Sequence, residues 1–302
     1  MKEIKKIDVH AHVTLYPDLV PKRQGTNLRM PSCEELISFY DQMNIEHGVL
    51  LPIVAPEGQF FQMTTENCIT AARLHPDRFS WFCNVDPRAG DNSPETDLVY
   101  ILEHYKSLGA KGVGELTSQR LADDPYMDNL FSACEKCDLP VIIHLAPTWK
   151  DIYGIVDELG LPRIEKVLQK HPRLKLIGHS TPFWAEISSD VTEENRNAYP
   201  AGKVTEGRIW DLMRKYDNLY CELSAGSGAN AMMRDPENAA RFLETFADRI
   251  FYGCDFITSA SSYPFEFDKF LDELVYTGKV SKESYLKIVR ENAINLLGIE
   301  CV

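Results

Sequence analysis

Two kinds of hydrophobic pattern alternate along the chain. Short apolar runs rich in β-branched residues are typical of buried strands, and longer segments with apolar residues three or four apart are typical of amphipathic helices. The first kind predicts strands at residues 7–13, 48–54, 79–85, 111–116, 139–144, 174–179, 219–224 and 249–255. The second kind predicts helices at residues 32–44, 65–75, 93–108, 125–137, 161–170, 205–216, 236–246, 264–276 and 281–297.

Eight predicted strands thus alternate with eight helices, and one further helix is appended. The strands are mainly apolar, as parallel strands covered on both faces should be. Strict alternation with this count predicts an α/β fold: a closed (β/α)8 TIM barrel forming a single domain over residues 1–302, with an extra C-terminal helix. The alternative is an open, doubly wound sheet. It loses its main support because no Gly-x-Gly-x-x-Gly motif follows the first strand.

Composition narrows the class of protein. The chain of 302 residues is 44% hydrophobic and 25% charged, which suits a globular protein with a large core. Its formal net charge of −13 argues against a nucleic-acid partner, whose phosphates need a basic face. No apolar run reaches transmembrane length, and the charged residues 1–6 lead directly into the first strand, unlike a signal peptide. We therefore expect a cytoplasmic protein without membrane or nucleic-acid partners.

The first predicted strand carries two histidines at alternate positions. Side chains alternate between the two faces of a strand, so Asp8, His10 and His12 should share one face. Two imidazoles on one face of a rigid element can bind one cation together, and zinc, manganese, iron and cobalt accept such ligands. The alternative is that both are ordinary histidines of a half-buried strand.

Polar residues also lie where other predicted strands end, which is where barrel enzymes place their chemistry. The residues at these ends are His10, His12, Glu115, His144, His179 and Asp255. Each alone could be a hydrogen-bonded core residue, but a barrel core full of unpaired imidazoles would be costly. The other four histidines fall at helix ends or within helices. Together, the strand-end residues predict a metal site.

This set, His-x-His, His, His and Asp on strands one, five, six and eight, resembles that of the amidohydrolase superfamily. A finer resemblance is to the amidohydrolase-related family, which also holds enzymes similar to aminocarboxymuconate-semialdehyde decarboxylase. The resembling segments extend over nearly the whole chain and are residues 7–12, 76–79, 84–87, 141–144, 177–179, 253–256 and 291–298.

The resemblance implies a role for each residue. His10, His12 and Asp255 would hold a divalent metal, usually zinc, with Mn2+ or Fe2+ as alternatives. His144 would be a further ligand. Asp255 would also take the proton of the reacting water, and His179 would polarise the substrate or the water in members with one metal. A divalent cation brings the pKa of bound water to about 7, which makes such a proton transfer feasible.

Glu115 leaves the number of metals open. Binuclear members of the superfamily carry a bridging ligand at the end of strand four, and the TatD-like hydrolases use a glutamate there. If Glu115 bridges, His144 and His179 would bind a second ion. If it does not, Glu115 would orient His144 or His10 through a hydrogen bond. We therefore expect one or two ions.

Two strand-to-helix segments are long, at residues 145–160 and 180–204. Loops of this length in a barrel usually form lids or interfaces. Their tryptophans, Trp149 and Trp184, are predicted to contact a small organic substrate. If one of the loops forms an interface, a homodimer is the assembly to expect.

These features support functions of three classes. The leading prediction is a metal-dependent hydrolase of a small amide, ester or lactone. The alternative within the resembled family is a non-oxidative decarboxylase of an aromatic or unsaturated acid. The third is a metal-binding barrel without catalysis that serves in assembly, against which the complete ligand set argues. A bridging Glu115 would favour hydrolysis, and one metal beside a free His179 would favour decarboxylation.

Overall fold

The structure is a computed structural model that describes residues 4–57, 62–150, 152–258 and 263–300. Parallel strands form its inner layer. Eight strands among these residues follow the predicted order: β1 Lys6–Ala11, β2 Ile45–Leu50, β3 Phe79–Trp81, β4 Val113–Leu116, β5 Val141–Ala146, β6 Leu176–His179, β7 Leu219–Glu222 and β8 Ile250–Phe251. A short strand that was not predicted, Ile155–Val156, pairs with β5. Hydrogen bonds join β1, β2 and β3 into one sheet and β4 to β8 into another.

Backbone contacts just beyond the regular strands join the two sheets into a closed barrel. Between β3 and β4, Cys83 N donates to Gly112 O over 3.0 Å and Gly114 N donates to Cys83 O over 2.9 Å. Between β8 and β1, Val9 N donates to Tyr252 O over 3.1 Å. The predicted TIM barrel is therefore confirmed, and the open-sheet alternative falls.

Helices cover the outside of the barrel. Their bounds in the described residues are Cys33–Met43, Thr65–Leu74, Leu98–Ser107, Pro125–Lys136, Pro162–Lys170, Thr181–Ala185, Arg208–Lys215, Ala225–Met233, Pro236–Thr245, Tyr263–Tyr276, Lys282–Leu286 and Asn292–Leu297, with a π-helical turn at Lys287–Glu291 and a 3-10 turn at Ala247–Arg249. Thr181–Ala185 and Ala225–Met233 were not predicted, because the first is too short to show a helical period and the second consists mostly of small residues. Among the described residues, every helix is too short or too polar to span a bilayer.

The barrel interior is apolar at one end and polar at the other. One buried cluster fills the apolar end: Ile7, Val9, Val49, Leu51, Phe82, Ile142, Ile177, Phe251, Ala293, Leu297 and Ile299. Ile142 and Ile177 lie two residues before His144 and His179, so these two histidines point into the barrel above the apolar layer. The end of the C-terminal helix therefore packs against the N-terminal end of the barrel, and the histidines lie at the other end.

Asp8 departs from the predicted alternation. It was expected to share a face with His10 and His12, but its Oδ2 accepts a hydrogen bond of 2.7 Å from the hydroxyl of Tyr40, on a helix outside the barrel. The pairing of β1 with β2 shifts register between Asp8 and Ala11. An extra residue in a strand reverses the face of the residues that follow it. The two histidines therefore face the interior although Asp8 does not.

The first helix begins with a side-chain N-cap. Ser32 Oγ accepts a hydrogen bond of 3.3 Å from Glu35 N, and Glu35 Oε2 accepts one of 2.8 Å from Ser32 N. Each contact satisfies a backbone N–H group that has no partner within the helix. Together the two contacts form a capping box.

Removal of this cap should destabilise the fold measurably. Ser32→Ala should lower the free energy of unfolding by about 1 kcal/mol, because the amide of Glu35 loses its acceptor. Urea unfolding followed by circular dichroism measures the change. Ser38→Ala, at an exposed position of the same helix, is the control and should shift stability by less than about 0.5 kcal/mol. Equal losses in the two variants would contradict the role of the cap.

Candidate metal centre

All six predicted strand-end residues meet inside the C-terminal end of the barrel. This strand-end cluster consists of His10, His12, Glu115, His144, His179 and Asp255. Their donor atoms form three overlapping groups, and within each group the atoms lie within 4.8 Å of one another. The groups are His10–His12–Glu115, His10–His179–Asp255 and Glu115–His144–His179.

Four donor atoms of the cluster form one compact set. The Nε2 atoms of His10 and His12 are 3.0 Å apart. Glu115 Oε2 lies 3.6 Å from the first of these nitrogens and 3.5 Å from the second. Asp255 Oδ1 lies 3.8 Å and 3.6 Å from them. Four tetrahedral ligands at about 2.1 Å from a zinc ion are about 3.4 Å apart. These five separations are compatible with one cation of that size.

The outer hydrogen bonds of two rings show which of their nitrogens carries the proton. His12 Nδ1 lies 2.9 Å from the carbonyl oxygen of Leu51, which can only accept. His10 Nδ1 lies 3.0 Å from Glu222 Oε1, a carboxylate oxygen. In the neutral rings both Nε2 atoms are therefore bare, and their lone pairs face each other and Glu115. This arrangement needs positive charge between the donors, supplied by ring protons or by a metal cation.

The titration behaviour of the cluster points to the same need. Burial alone lowers the pKa of His10, but three nearby carboxylates raise it well above its ordinary value; they are Asp255, Glu115 and Glu222. Burial raises the pKa of Glu115, whereas His144 and His10 hold it well below its ordinary value. The protein therefore offers ionised carboxylates to a cation at this position.

Glu115 presents its two oxygens to two pairs of rings. Oε2 faces His10 and His12, and Oε1 lies 2.6 Å from His144 Nδ1 and 3.7 Å from His179 Nε2. The carboxylate thus lies between the rings of β1 and those of β5 and β6. These contacts are compatible with a ligand shared by two ions and with a hydrogen-bond partner of His144, so both interpretations from the sequence remain.

The backbone around Glu115 is built to hold this position. Gly114 has φ +131°, which L side chains rarely adopt, and a Cβ there would lie 2.6 Å from Ile142 O. Asn84 Nδ2 donates to Glu115 O over 2.6 Å and to Pro52 O over 2.7 Å. Asn84 was not predicted to have a role of its own, although it lies in one of the resembling segments. It joins the ends of β2 and β4 below the cluster.

Asp255 has an unusual backbone and an unpaired oxygen. Its φ is +51°, and its N donates a hydrogen bond of 2.9 Å to His10 O, which ties the end of β8 to β1. Its Oδ1 is buried without a hydrogen-bond partner, while Oδ2 lies 4.0 Å from His179 Nε2. A buried carboxylate oxygen without a partner is costly unless a cation lies beside it. The residues of the cluster therefore fit a divalent metal.

The cluster is accessible from one side. The side chains of His10, His12 and His179 are at most 1% exposed, whereas those of His144 and Asp255 are 14% exposed. A small molecule would therefore approach over His144 and Asp255.

The two predicted substrate tryptophans lie in different environments. Trp149 is 48% exposed. Trp184 is 2% exposed and its Nε1 donates a hydrogen bond of 3.1 Å to Glu222 O, so it supports the end of β7. Tyr153, from the same loop as Trp149, places its ring 4.6 Å from the ring of His144. Contact of either tryptophan with a substrate stays a prediction.

The family comparison covers nearly the whole barrel. The model of a family described as amidohydrolase matches residues 7–299 of the chain. No curated protein sequence matches the chain.

Solved structures share the fold at low sequence identity. An amidohydrolase from Burkholderia multivorans with bound zinc is 14% identical with a TM-score of 0.66, and the match covers 98% of this chain and 100% of that one. A probable 2-pyrone-4,6-dicarboxylic acid hydrolase from Acinetobacter baumannii is 16% identical with a TM-score of 0.59, covering 98% and 100%. A 5-carboxyvanillate decarboxylase from Novosphingobium aromaticivorans, in complex with manganese, is 16% identical with a TM-score of 0.58, covering 99% and 97%. At these identities the likeness concerns the fold.

The donor set predicts that the purified protein carries metal. Elemental analysis should find about one or two transition-metal ions per chain, and His12→Ala should lower that content because it removes a donor from the compact set. His47→Ala is the matched control, since His47 is also buried but contacts Ser80 outside the cluster. A wild-type protein that takes up neither zinc nor manganese on reconstitution would refute the metal centre.

Proposed function

The chain belongs to the amidohydrolase family, and we propose that it is a metal-dependent hydrolase of a small amide, ester or lactone. The metal dependence is supported by the strand-end cluster, with its bare imidazole nitrogens and its unpaired carboxylate oxygen. Zinc is the first choice of ion because imidazoles and carboxylates are among its usual ligands, and Mn2+ and Fe2+ accept the same donors.

The position of Glu115 carries the proposal of hydrolysis. One of its oxygens faces His10 and His12 on β1, and the other faces His144 and His179 on β5 and β6. A carboxylate between two pairs of imidazoles is suited to be a ligand shared by two divalent cations. In this arrangement Asp255 would complete the ligands on the β1 side.

The acid–base work of hydrolysis falls to Asp255. When bound, divalent cations lower the pKa of water and polarise the carbonyl oxygen of a substrate. Asp255 would accept a proton of the attacking water and return it to the leaving amine or alcohol as the C–N or C–O bond breaks. The hydroxyl group of the water ends on the acyl carbon. The exposed edge of Asp255 lies on the side from which the substrate approaches.

A decarboxylase of an aromatic or unsaturated acid is the second candidate, and a different observation favours it. The compact set alone offers four donors to one cation: those of His10, His12, Glu115 and Asp255. Glu115 would then stay hydrogen-bonded to His144. His179 would remain free to exchange a proton with the substrate at Nε2.

The metal count of Glu115→Gln separates the two candidates. If Glu115 is shared by two ions, the variant should lose one ion and keep the other, because a neutral amide bridges two dications poorly. If Glu115 only orients His144, the same change should weaken metal affinity by about 10- to 100-fold without changing the count under excess zinc. One ion in both wild type and variant would rule out the bridge and raise decarboxylation to parity with hydrolysis.

The proton transfer assigned to Asp255 can be tested separately from metal binding. Asp255→Asn should keep the fold and lower turnover by at least about 100-fold, because the amide cannot accept the proton. Turnover is measured under saturating zinc, with the bound zinc determined in the same sample. A loaded variant with a rate near that of the wild type would contradict this role.

The substrate class is tested with the metal-loaded wild type. Panels of small lactones, esters and amides are assayed for hydrolysis, and aromatic and unsaturated carboxylic acids are assayed for release of CO2. Turnover in the first panel that requires metal supports the proposal, and turnover confined to the second panel overturns it in favour of the decarboxylase.

A further inference from the structure

A carboxylate behind the strand-end cluster contacts two of its rings. Glu222, the last residue of β7, is fully buried. Its Oε1 lies 3.0 Å from His10 Nδ1 and within hydrogen-bond distance of His179 Nδ1. The two rings come from β1 and β6, and their centroids are 4.5 Å apart. Oε1 of Glu222 therefore joins two rings that lie near different oxygens of Glu115: His10 lies near Oε2 and His179 lies near Oε1.

These contacts determine which nitrogen of each ring faces the cluster. A carboxylate oxygen only accepts hydrogen bonds, so Nδ1 of His10 and Nδ1 of His179 each carry a proton. Each Nε2 then presents a lone pair to the interior, and that of His179 lies 3.7 Å from Glu115 Oε1. Without this acceptor, either ring could place its proton on Nε2, where it would block a ligand position.

Glu222 is itself held in place from several sides. Ser224 N donates to its Oε2 over 2.6 Å, and Ser224 Oγ donates to its Oε1 over 2.8 Å. Trp184 Nε1 binds its main-chain oxygen. The carboxylate also depends on a glycine, because a Cβ on Gly253 would lie 2.5 Å from Glu222 Oε2. The side chain is thus fixed where it can serve both rings.

We propose that Glu222 is a positioning residue for both metal positions, because it turns the Nε2 lone pairs of His10 and His179 toward them. This inference rests on the proposed two-metal function. Glu222 acts through the rings and contacts neither ion nor substrate. Loss of Glu222 should therefore weaken the binding of both ions, whereas loss of a residue that contacts only one ring should weaken the binding of one ion.

Two variants separate positioning from charge. Glu222→Gln keeps the size of the side chain, but its single amide oxygen can replace the carboxylate only in part. Glu222→Asp keeps the charge but is one carbon shorter, so it should not reach both rings. Glu186→Gln is the matched control, since Glu186 is also buried and accepts from Gly160 N outside the cluster.

Cobalt titration of the metal-free proteins against a competing chelator measures the affinity of each position. Both Glu222 variants should bind cobalt about 10- to 100-fold more weakly at both positions. Glu186→Gln should bind like the wild type. Wild-type affinity in Glu222→Gln and Glu222→Asp, or a loss confined to one position, would overturn the proposal. Retained affinity in Glu222→Asp alone would reduce the role to charge and would likewise overturn it.

Nitrogen-15 NMR of the histidine rings gives a readout that needs no metal. In the metal-free wild type, Nδ1 of His10 and Nδ1 of His179 should both carry a proton. In Glu222→Gln, at least one of these rings should have its proton only on Nε2. A bare Nδ1 on either ring of the wild type would overturn the positioning role. If the wild type binds no cobalt, the proposed function fails, while the ring signals still decide the role of Glu222.

Discussion

The site depends on imidazole nitrogens and carboxylate oxygens that point their lone pairs into one small, nearly closed space. Inside the C-terminal end of the barrel, bare imidazole nitrogens of His10 and His12 face carboxylate oxygens of Glu115 and Asp255 at less than 4 Å. Such donors repel one another unless positive charge lies between them. A ring proton satisfies one pair of donors, whereas a metal ion satisfies four or more at once. The cluster is therefore better matched to a metal than to a hydrogen-bonded core.

The barrel brings these donors together, but local irregularities aim them. β1 turns both histidines inward only because its pairing with β2 shifts register after Asp8. Asp255 reaches the centre from a left-handed backbone conformation, and Glu115 follows a glycine in a similarly restricted one. Each irregularity departs from ideal strand geometry, which costs local stability. At the polar end of the interior, regular strand pairing is therefore interrupted, and the ligands are held in a fixed arrangement.

Sequence periodicity was sufficient for the barrel and for the six cluster residues, for the same reason. Buried parallel strands are continuous apolar runs, and in a closed barrel all their C-terminal ends meet, whatever the loops do. It could not reveal the outward position of Asp8, because a shift of one residue leaves no hydrophobic signature. The double contact of Glu222 was equally hidden, since it depends on the height of β7 relative to β1 and β6. Trp184 was assigned to a loop because the short helix that buries it has no periodic pattern.

The orientation of His179 matters in both proposed reactions. With its Nδ1 proton directed at Glu222, the neutral ring can bind a cation or accept a proton at Nε2, but it cannot donate one there. Hydrolysis needs an acceptor for the proton of water, and Asp255 and this lone pair both qualify. Decarboxylation replaces CO2 by hydrogen and so needs a proton donor, and a His179 ring with protons on both nitrogens would donate from Nε2 while Nδ1 keeps its contact with Glu222. The contact with Glu222 therefore fixes which nitrogen faces the substrate in either reaction, and the number of bound metal ions decides between the two.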